Sequence, residues 1–195
     1  MIHPLRNFPP NSEAAKPPCR DLPPKEQQEG QTLKRAALLA ALSGIIISLY
    51  LFWGFRVYTV QGESMAPLLG SGSRILVNRW AYGVPRFFRA GYLAVWKMPG
   101  RNDIMTFYSP LDGALSVKRC AARGKDHLEL RHDTFYVNGE ALPRGAFPPA
   151  APLSPGILER RQVFLVGDNA SASLDSRYFG PVSLDRVVGR VINYQ

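Results

Sequence analysis

The stretch AALLAALSGIIISLYLFWGF, residues 36–55, runs for twenty residues without a charged side chain. A helix of that length extends about 30 Å, which matches the hydrocarbon core of a bilayer. A cleavable secretory signal would have a shorter apolar region followed by a small-residue cleavage site, and neither is evident here. A buried core helix is the remaining alternative. We therefore predict an uncleaved transmembrane anchor that divides the chain into three parts.

The basic residues that flank this stretch predict its orientation. Lys34 and Arg35 stand directly before it, whereas only Arg56 stands directly after it. The more basic flank of a span stays in the cytoplasm, and aromatic residues such as Tyr50 and Trp53 favour the membrane interface. The sequence thus predicts a single-pass protein of the inner (plasma) membrane, with a cytoplasmic N-terminus and everything after the span on the outer side.

The composition of the remaining chain supports this division. Residues 1–35 carry seven of the seventeen prolines and no sustained apolar period, which predicts a disordered cytoplasmic tail. The net charge of +9 suits either nucleic acid or an anionic membrane, and the apolar stretch favours a phospholipid membrane as the partner. Cys19 and Cys120 would lie on opposite sides of that membrane and could not form a disulfide. Cys120, flanked by apolar residues, is predicted to be a buried small hydrophobe.

Residues 56–195 consist of short apolar runs that are separated by glycine, proline and aspartate. The runs are rich in Val, Ile, Tyr and Phe and show no long helical period, so we predict a mainly β domain built on an antiparallel sheet. Two loops interrupt the pattern, the proline-rich residues 142–156 and residues 168–177, which are too polar to be core. The runs are RILVNRW, GYLAVW, DIMTFY, LSVKRC, LELRHD, TFYVNG, QVFLVGD and RVVGRVINY.

A serine follows the predicted anchor in VQGESMAPLL, residues 60–69. Gly62 allows close approach of the backbone before Ser64, and Pro67 fixes the backbone at the end of the turn. We therefore expect the Ser64 side chain to be accessible on the turn rather than packed in the core. A serine hydroxyl needs a base before it can act as a nucleophile. Without such a base, the segment would be a plain polar turn after a membrane span.

The candidates for that base are two histidines and three lysines. His127 and His132, in DHLELRHD, resemble the solvated edge of a hairpin and match no strong zinc pattern. Lys97 and Lys125 lie in predicted turns, whereas Lys118 lies in the apolar strand-like run ALSVKRC. Burial of a lysine lowers its pKa and makes a neutral amine accessible. Lys118 is therefore the candidate base, with a surface strand lysine as the alternative.

Four segments behind the span together resemble a known family. GESMAPLL, RNDIMTF, SVKRCAARGKD and GDNASASLDSRYFGPV occur in the order of the motif boxes of bacterial type I signal peptidases, and FYVNGEAL is similar to the segment between the last two boxes. The resemblance covers roughly Val57 to Arg190. It implies a β-rich peptidase that cleaves exported precursor proteins after small residues, at sites of the Ala-X-Ala type. The sequence has no phosphate loop, metal cluster or dinucleotide fingerprint, so we expect no metal, no cofactor and no nucleic-acid partner.

The resemblance also implies roles for individual residues. Ser64 would attack the scissile carbonyl with Lys118 as general base, and Ser173 matches the serine that orients the lysine. Asp175 and Arg177 match a supporting ion pair. We expect Asp175 to pair with Arg177 rather than with Lys118, because a carboxylate beside the amine would raise its pKa.

The oxyanion-hole and substrate-pocket residues of the family match this sequence less directly than its catalytic residues do. Gly62 stands where some members have a serine that helps to hold the oxyanion, so the backbone N–H of Ser64 would be the main donor. Val60, Leu69 and Val117 fall at places that line the apolar substrate pockets of the family.

Three departures from the family pattern concern local turns. Leu68 replaces a usual threonine, Asn102 replaces a glycine, and CAARGKD lacks the glycine-proline turn that is common after the lysine, although Asp126 is kept. They leave open a dedicated Ser/Lys maturation peptidase for one substrate, such as a conjugative pilin. A catalytically silent, membrane-anchored binding module is a further alternative, against which the intact Ser64, Lys118 and Ser173 argue.

A last segment predicts a second contact with the membrane. WAYGVPRFFRAGYLAVW, residues 80–96, interleaves aromatic residues with Arg86 and Arg89. Such a composition suits the headgroup layer. An ordinary core hairpin is the alternative.

Overall fold

The computed structural model describes residues 25–145 and 156–195. Helix α1 spans Lys25–Trp53, and its part Gly30–Trp53, which contains an 18-residue window of mean hydropathy 2.1, is the one helix among these residues that is long and apolar enough to cross a membrane. The helix begins before Ala36, so residues 25–35, which we assigned to the tail, are helical. Lys, Glu and Gln, which are good helix formers, dominate that segment. Residues 1–24 of the predicted tail, including Cys19, lie outside the described residues.

The remainder is mainly β, as the short apolar runs predicted. A seven-stranded antiparallel sheet has the order β1-β2-β13-β5-β6-β11-β12. Its strands are β1 Phe55–Thr59, β2 Arg74–Asn78, β5 Ile104–Tyr108, β6 Leu115–Arg123, β11 Gln162–Val166, β12 Val182–Ser183 and β13 Val187–Tyr194.

Two smaller sheets complete the β structure. One pairs β3 Gly83–Pro85 with β4 Tyr92–Val95, and the other has the order β10-β7-β8-β9. Its strands are β7 His127–Arg131, β8 Thr134–Val137, β9 Glu140–Ala141 and β10 Gly156–Ile157. His132 and Asp133 join β7 to β8 with positive φ at both positions, 46° and 60°. This two-residue turn matches the twist of the flanking strands and forms the hairpin that DHLELRHD predicted.

Short helical segments follow β11 and precede β13. They are a 3₁₀ turn at Ala170–Ala172, helix α2 at Ser176–Phe179 and a 3₁₀ turn at Leu184–Arg186. The prediction that residues 168–177 are too polar to be core is wrong for part of this segment. Ser173, Asp175 and Arg177 are only 3%, 1% and 3% exposed. Polar groups can be buried when they satisfy one another's hydrogen bonds, and these residues do so.

Three clusters of buried apolar residues support the sheets. The largest lies against β5, β6 and β11 and includes Cys120, which is fully buried. Desolvation raises the pKa of its thiol to about 12, as expected for the predicted buried small hydrophobe. A second cluster lies around β7 and β8, and a third underlies the turn after β1. The last part of α1, from Ile47, belongs to the same compact unit as the sheets.

Candidate active site

Ser64 lies in the turn that joins β1 to β2. The base of this turn is closed by the amide of Val60, which donates to the Ser73 carbonyl at 2.8 Å. Gly62 has φ of 84°, a left-handed conformation that favours glycine. Met65 and Leu69 are fully buried beneath the turn. The turn is therefore fixed from below, while Ser64 is half-buried at its surface.

Lys118 reaches the serine from the middle of β6. Its side chain shares a face of the strand with the fully buried Cys120 and Ala122, and Lys118 itself is 5% exposed. The Nζ atom lies 2.7 Å from the Ser64 Oγ and 3.2 Å from the Val117 carbonyl oxygen. The structure thus brings together the two residues that the sequence singled out.

The surroundings of Lys118 favour its neutral form. Burial has the largest effect and lowers the pKa of the amine from its ordinary value of 10.5. The negative charge of Asp175 acts in the opposite direction, the positive charge of Arg177 acts in the same direction as burial, and Asp168 opposes it. Asp175 is hydrogen-bonded elsewhere, so its influence on the amine is exerted without direct contact.

Asp175 is the centre of a buried polar network. Arg177 donates to the Asp175 carboxylate from Nη2 at 2.6 Å and from Nε at 3.0 Å. The Gly167 amide adds a third donor at 2.8 Å. The Ser173 hydroxyl donates to the same carboxylate at 2.5 Å. The Lys118 amine is hydrogen-bonded to Ser64 and Val117 rather than to Ser173, so in this structure the Ser173 hydroxyl orients the carboxylate and not the amine.

Gly167 allows the end of β11 to approach both the serine turn and this network. A Cβ at position 167 would lie 2.2 Å from the Ser173 Oγ and 2.5 Å from the Ser64 carbonyl oxygen. The Asn169 amide then donates to that same carbonyl at 3.1 Å. Our sequence reasoning missed both Gly167 and Asn169. The available signal was the Gly-Asp-Asn sequence directly after the apolar run QVFLV.

The opposite face of β6 holds the loop after β11. Arg119 donates to both carboxylate oxygens of Asp168, each at 2.7 Å. Such a bidentate pair fixes orientation as well as distance. Two adjacent residues of β6 therefore support the serine turn. Lys118 contacts Ser64 directly, and Arg119 holds the loop after β11, which is hydrogen-bonded to the serine turn.

A cleft of about 260 Å³ opens beside Ser64 and Lys118. Val60 and Val117, two of the three residues expected at the substrate pockets, line this cleft. Leu69 does not, because it is fully buried in the core cluster under the turn. The lining residues that sequence reasoning missed are Tyr58, Thr59, Gln61, Ile75, Thr106, Leu115 and Ser116.

The departures from the family pattern leave the turns intact. Asn102 has φ of 70°, and asparagine is among the few residues that adopt this left-handed conformation readily. Leu68 packs, partly buried, on the core cluster beneath the serine turn. Asp126 accepts hydrogen bonds from the Arg123 amide at 2.9 Å and from the Arg101 Nε at 3.2 Å. These hydrogen bonds hold the turn after Lys118 in place without a glycine-proline pair.

The histidines of the β7–β8 hairpin lie outside this arrangement. His127 contacts Glu129 at 3.1 Å and is exposed, as is His132 in the turn. Within residues 25–145 and 156–195, no group of three or more His, Cys, Asp or Glu side chains is placed to hold a metal ion.

Comparisons with known proteins agree with these motifs. The family described as "Signal peptidase, peptidase S26" matches residues 31–194. The signal peptidase I of Bacillus caldolyticus is 28% identical over 166 residues, which cover 75% of this chain and 82% of that protein. The signal peptidase IB of Staphylococcus aureus is 30% identical over 155 residues, which cover 69% and 74%.

A solved structure is also similar. The crystal structure of a signal peptidase I from Enterococcus faecalis V583 is 29% identical, with a TM-score of 0.37, and the match covers 48% of this chain and 97% of that chain. Because the family match runs from the apolar helix to the last strand of the sheet, the chain belongs to the type I signal peptidase family.

Proposed function

We propose that this chain is a serine endopeptidase that removes signal peptides from exported precursor proteins, with Ser64 as nucleophile and Lys118 as general base. Its relatives carry the name signal peptidase. The observation that carries the assignment of roles is the 2.7 Å distance between the Ser64 Oγ and a lysine amine that is almost wholly buried. A buried lysine is the kind that can give up its proton near neutral pH.

The chemistry follows from this pair. The neutral Nζ of Lys118 takes the proton of the Ser64 hydroxyl while the Oγ attacks the scissile carbonyl carbon. The tetrahedral intermediate collapses, the amine leaves with the proton from Lys118, and the acyl group stays on Ser64. A water molecule, deprotonated by the Lys118 Nζ, then attacks the acyl group on Ser64. The acyl group is released and both residues return to their starting state.

The backbone amide of Ser64 is available to stabilise the oxyanion. Across the described part of the chain, this amide has no hydrogen-bond acceptor. Gly62 contributes no side-chain donor, and the space where its Cβ would stand is open. The proposal that the Ser64 amide is the main oxyanion donor is supported by both observations, since a donor already engaged could not serve.

The strand edges beside the cleft support binding of an extended peptide. In the described sheet, β1 pairs with β2 alone. Residues 115–117 of β6 pair with β5, whereas β11 pairs with β6 only from Arg119 onward. Free backbone groups therefore face the cleft from two strands, and a substrate segment can add to them as a further strand. The apolar walls formed by Val60 and Val117, in so small a cleft, favour small side chains near the scissile bond.

The anchor places this chemistry at a membrane. The family is membrane-anchored, and α1 fits a single-pass anchor by its length and apolar composition. We propose that the N-terminus is cytoplasmic and that the β domain faces the outer side, where signal peptides of exported precursors emerge.

The test uses the purified full chain and a fluorogenic peptide with an Ala-X-Ala site. Ser64→Ala and Lys118→Ala should each lower kcat/KM by about 10³-fold or more, and the double variant should be no worse, because a nucleophile and its base act as a unit. Lys118→Arg should be equally inactive, since a guanidinium keeps its proton. Lys125→Ala, which alters an exposed turn lysine, is the matched control. Activity in Lys118→Arg would show that another group is the base.

The breadth of cleavage separates the remaining alternatives. If many precursors accumulate when Ser64→Ala replaces the wild-type chain in cells, the substrate is the general secretory pool. Accumulation of one precursor alone would indicate a dedicated maturation peptidase. A wild-type chain that cleaves neither the peptide nor any precursor would be a binding module and would overturn the proposal.

A further inference from the structure

Two hydroxyl groups lie among the aliphatic side chains of the cleft beside Ser64. They belong to Tyr58 on β1 and to Thr106 on β5. A polar group in apolar surroundings costs free energy when it lacks a hydrogen-bond partner. Hydroxyls at such positions are therefore suited to a ligand that supplies the missing partner. The aliphatic side chains are those of Val60, Ile75, Leu115 and Val117.

Thr106 can accept a further hydrogen bond. The residue is 1% exposed and lies opposite Val117 in the register of β5 and β6. Its Oγ1 donates to the Gly189 carbonyl at 3.5 Å, the long limit for such a bond. Within the described residues, no donor reaches the Thr106 oxygen. Its lone pairs are therefore available to a molecule in the cleft.

Tyr58 can donate a hydrogen bond. Its ring packs, partly buried, on the core cluster beneath the serine turn. Within residues 25–145 and 156–195, its hydroxyl forms no hydrogen bond. Burial raises the pKa of this phenol, while the positive charge of Arg79 acts in the opposite direction. The hydroxyl thus keeps its proton near neutral pH and can offer it to a ligand.

The remaining polar residues of the cleft wall differ from these two. Thr59 and Gln61 are exposed, so water satisfies their side chains. Ser116 occupies the face of β6 that carries Lys118, not the face of Val117. The other two hydroxyls are therefore the ones that a side chain in the middle of the cleft would meet.

The spacing of the strand wall assigns Tyr58 to one position of the substrate. Alternate residues of a strand lie about 6.8 Å apart and point to the same side. An extended substrate has the same period, so its side chains one and three residues before the scissile bond enter the cleft together. With the first of them beside Val60, the second lies beside Tyr58, which is two residues earlier in the chain.

The anchor gives the direction of the substrate. Helix α1 ends at Trp53 and β1 begins at Phe55, so Tyr58 is closer along the chain to the anchor than Val60 is. The apolar segment of a signal peptide precedes its cleavage site, and such segments partition into the bilayer. The N-terminal side of the scissile bond therefore extends towards the start of β1, past Tyr58.

We propose that the site selects serine or threonine three residues before the scissile bond, through the hydroxyls of Tyr58 and Thr106. The Tyr58 O–H donates to the hydroxyl of that side chain, which in turn donates to the Thr106 Oγ1. The Thr106 O–H keeps its bond to Gly189. An alanine or valine at that position would leave both hydroxyls without a partner. This inference rests on the proposed peptidase function and adds the chemistry of the substrate that the site takes.

Two fluorogenic peptides that differ only at this position test the proposal with the purified full chain. One carries threonine and the other carries valine, which has the same shape but no hydroxyl, and both have alanine before the scissile bond. Each hydrogen bond should contribute about threefold, so kcat/KM of the wild-type chain should favour threonine about tenfold. Tyr58→Phe and Thr106→Val should each lower this preference about threefold, and the double variant should abolish it. Because the preference is a ratio, it does not depend on the folded fraction of a variant.

Tyr136→Phe, which removes a tyrosine hydroxyl from β8 outside the cleft, is the matched control and should keep the wild-type ratio. Binding of the same peptides to Ser64→Ala separates this inference from the proposed reaction, and Kd should again favour the threonine peptide about tenfold. If the wild-type chain cleaves neither peptide while the Kd preference remains, the proposed function alone is overturned. Equal kcat/KM and Kd for the two peptides, or a preference that survives in the double variant, would overturn the selection of a hydroxyl.

Discussion

At Lys118, burial determines the reactivity of the side chain. The residue occupies the face of β6 that otherwise carries Cys120 and Ala122, so its amine is desolvated by the same packing that stabilises the sheet. Desolvation disfavours the charged form of a lysine. The strand that positions the amine beside Ser64 therefore also lowers its pKa.

The pH dependence of kcat/KM should show this directly. Because only the neutral amine can accept the Ser64 proton, activity should rise with pH through the lowered pKa of Lys118, and the limb should lie below the ordinary 10.5. The profile of Ser173→Ala should keep the same limb at a lower rate, since the Ser173 hydroxyl bonds to Asp175. A rate that is flat from pH 5 upward would mean that a carboxylate or histidine is the base.

The same pKa shift should appear in stability. Below the lowered pKa the buried amine is charged in the folded protein, which costs stability. As pH rises towards 10.5 the folded state loses the proton before the unfolded state does, and stability increases. Lys118→Met should therefore raise the Tm most at neutral pH and progressively less as pH approaches 10.5. A pH-independent gain would indicate that only packing had changed.

Asp175 should be important for stability because its partner is buried. In Asp175→Asn the guanidinium of Arg177, 3% exposed, would lose its carboxylate, and breaking a buried pair in this way typically costs about 3–5 kcal/mol. Asp185→Asn removes the carboxylate of the exposed pair with Arg161 and should cost less than about 1 kcal/mol. Urea unfolding followed by tryptophan fluorescence measures both. Equal losses would contradict the importance of the buried network.

At the scale of elements, the longer strands could be predicted and the short ones could not. The eight apolar runs correspond to β2, β4, β5, β6, β7, β8, β11 and β13. Strands such as β9, β10 and β12 have two residues each, too few to carry a period of two. Phe55 was assigned to the end of the span, yet it opens β1, because an apolar residue suits either element.

The candidate site was predictable where it resembles the family motifs and not where partners are distant in sequence. Ser64 and Lys118 stand in recognisable motifs, although 54 residues separate them. The burial of Arg177 depends on Asp175 and on the Pro143 carbonyl, which lies 34 residues away and accepts at 2.8 Å. Neither polarity nor hydrophobic period signals such a contact, so the sequence indicated a solvated loop.

The end of β11 provides a test of this arrangement. Gly167→Ala would place a methyl group 2.5 Å from the Ser64 carbonyl oxygen and 2.2 Å from the Ser173 Oγ. The serine turn should shift, and a displacement of about 1 Å can cost about 10²-fold in rate. Gly100→Ala, whose added methyl meets its nearest atom at 3.5 Å, is the control and should keep full activity. Comparable kcat values in the two variants would show that the close approach is unimportant.

At the scale of the whole molecule, the orientation of the chain can be measured with cysteine labels. The flanking charges predict a cytoplasmic N-terminus. A membrane-impermeant maleimide should then label Cys19 only after the cells are permeabilised. In an Ile157→Cys variant, the β domain should be labelled in intact cells. Labelling of Cys19 without permeabilisation would reverse the proposed orientation.

The hydrogen bond from the Asn169 amide to the Ser64 carbonyl, at 3.1 Å, also has a kinetic meaning. An amide exchanges its proton for deuterium only when its hydrogen bond opens. At alkaline pH, where exchange is faster than reclosing, the exchange rate at Asn169 would thus equal the rate at which the serine turn separates from the loop after β11. The Asn169 amide, which no activity assay reports on, is therefore a probe of the opening of the site.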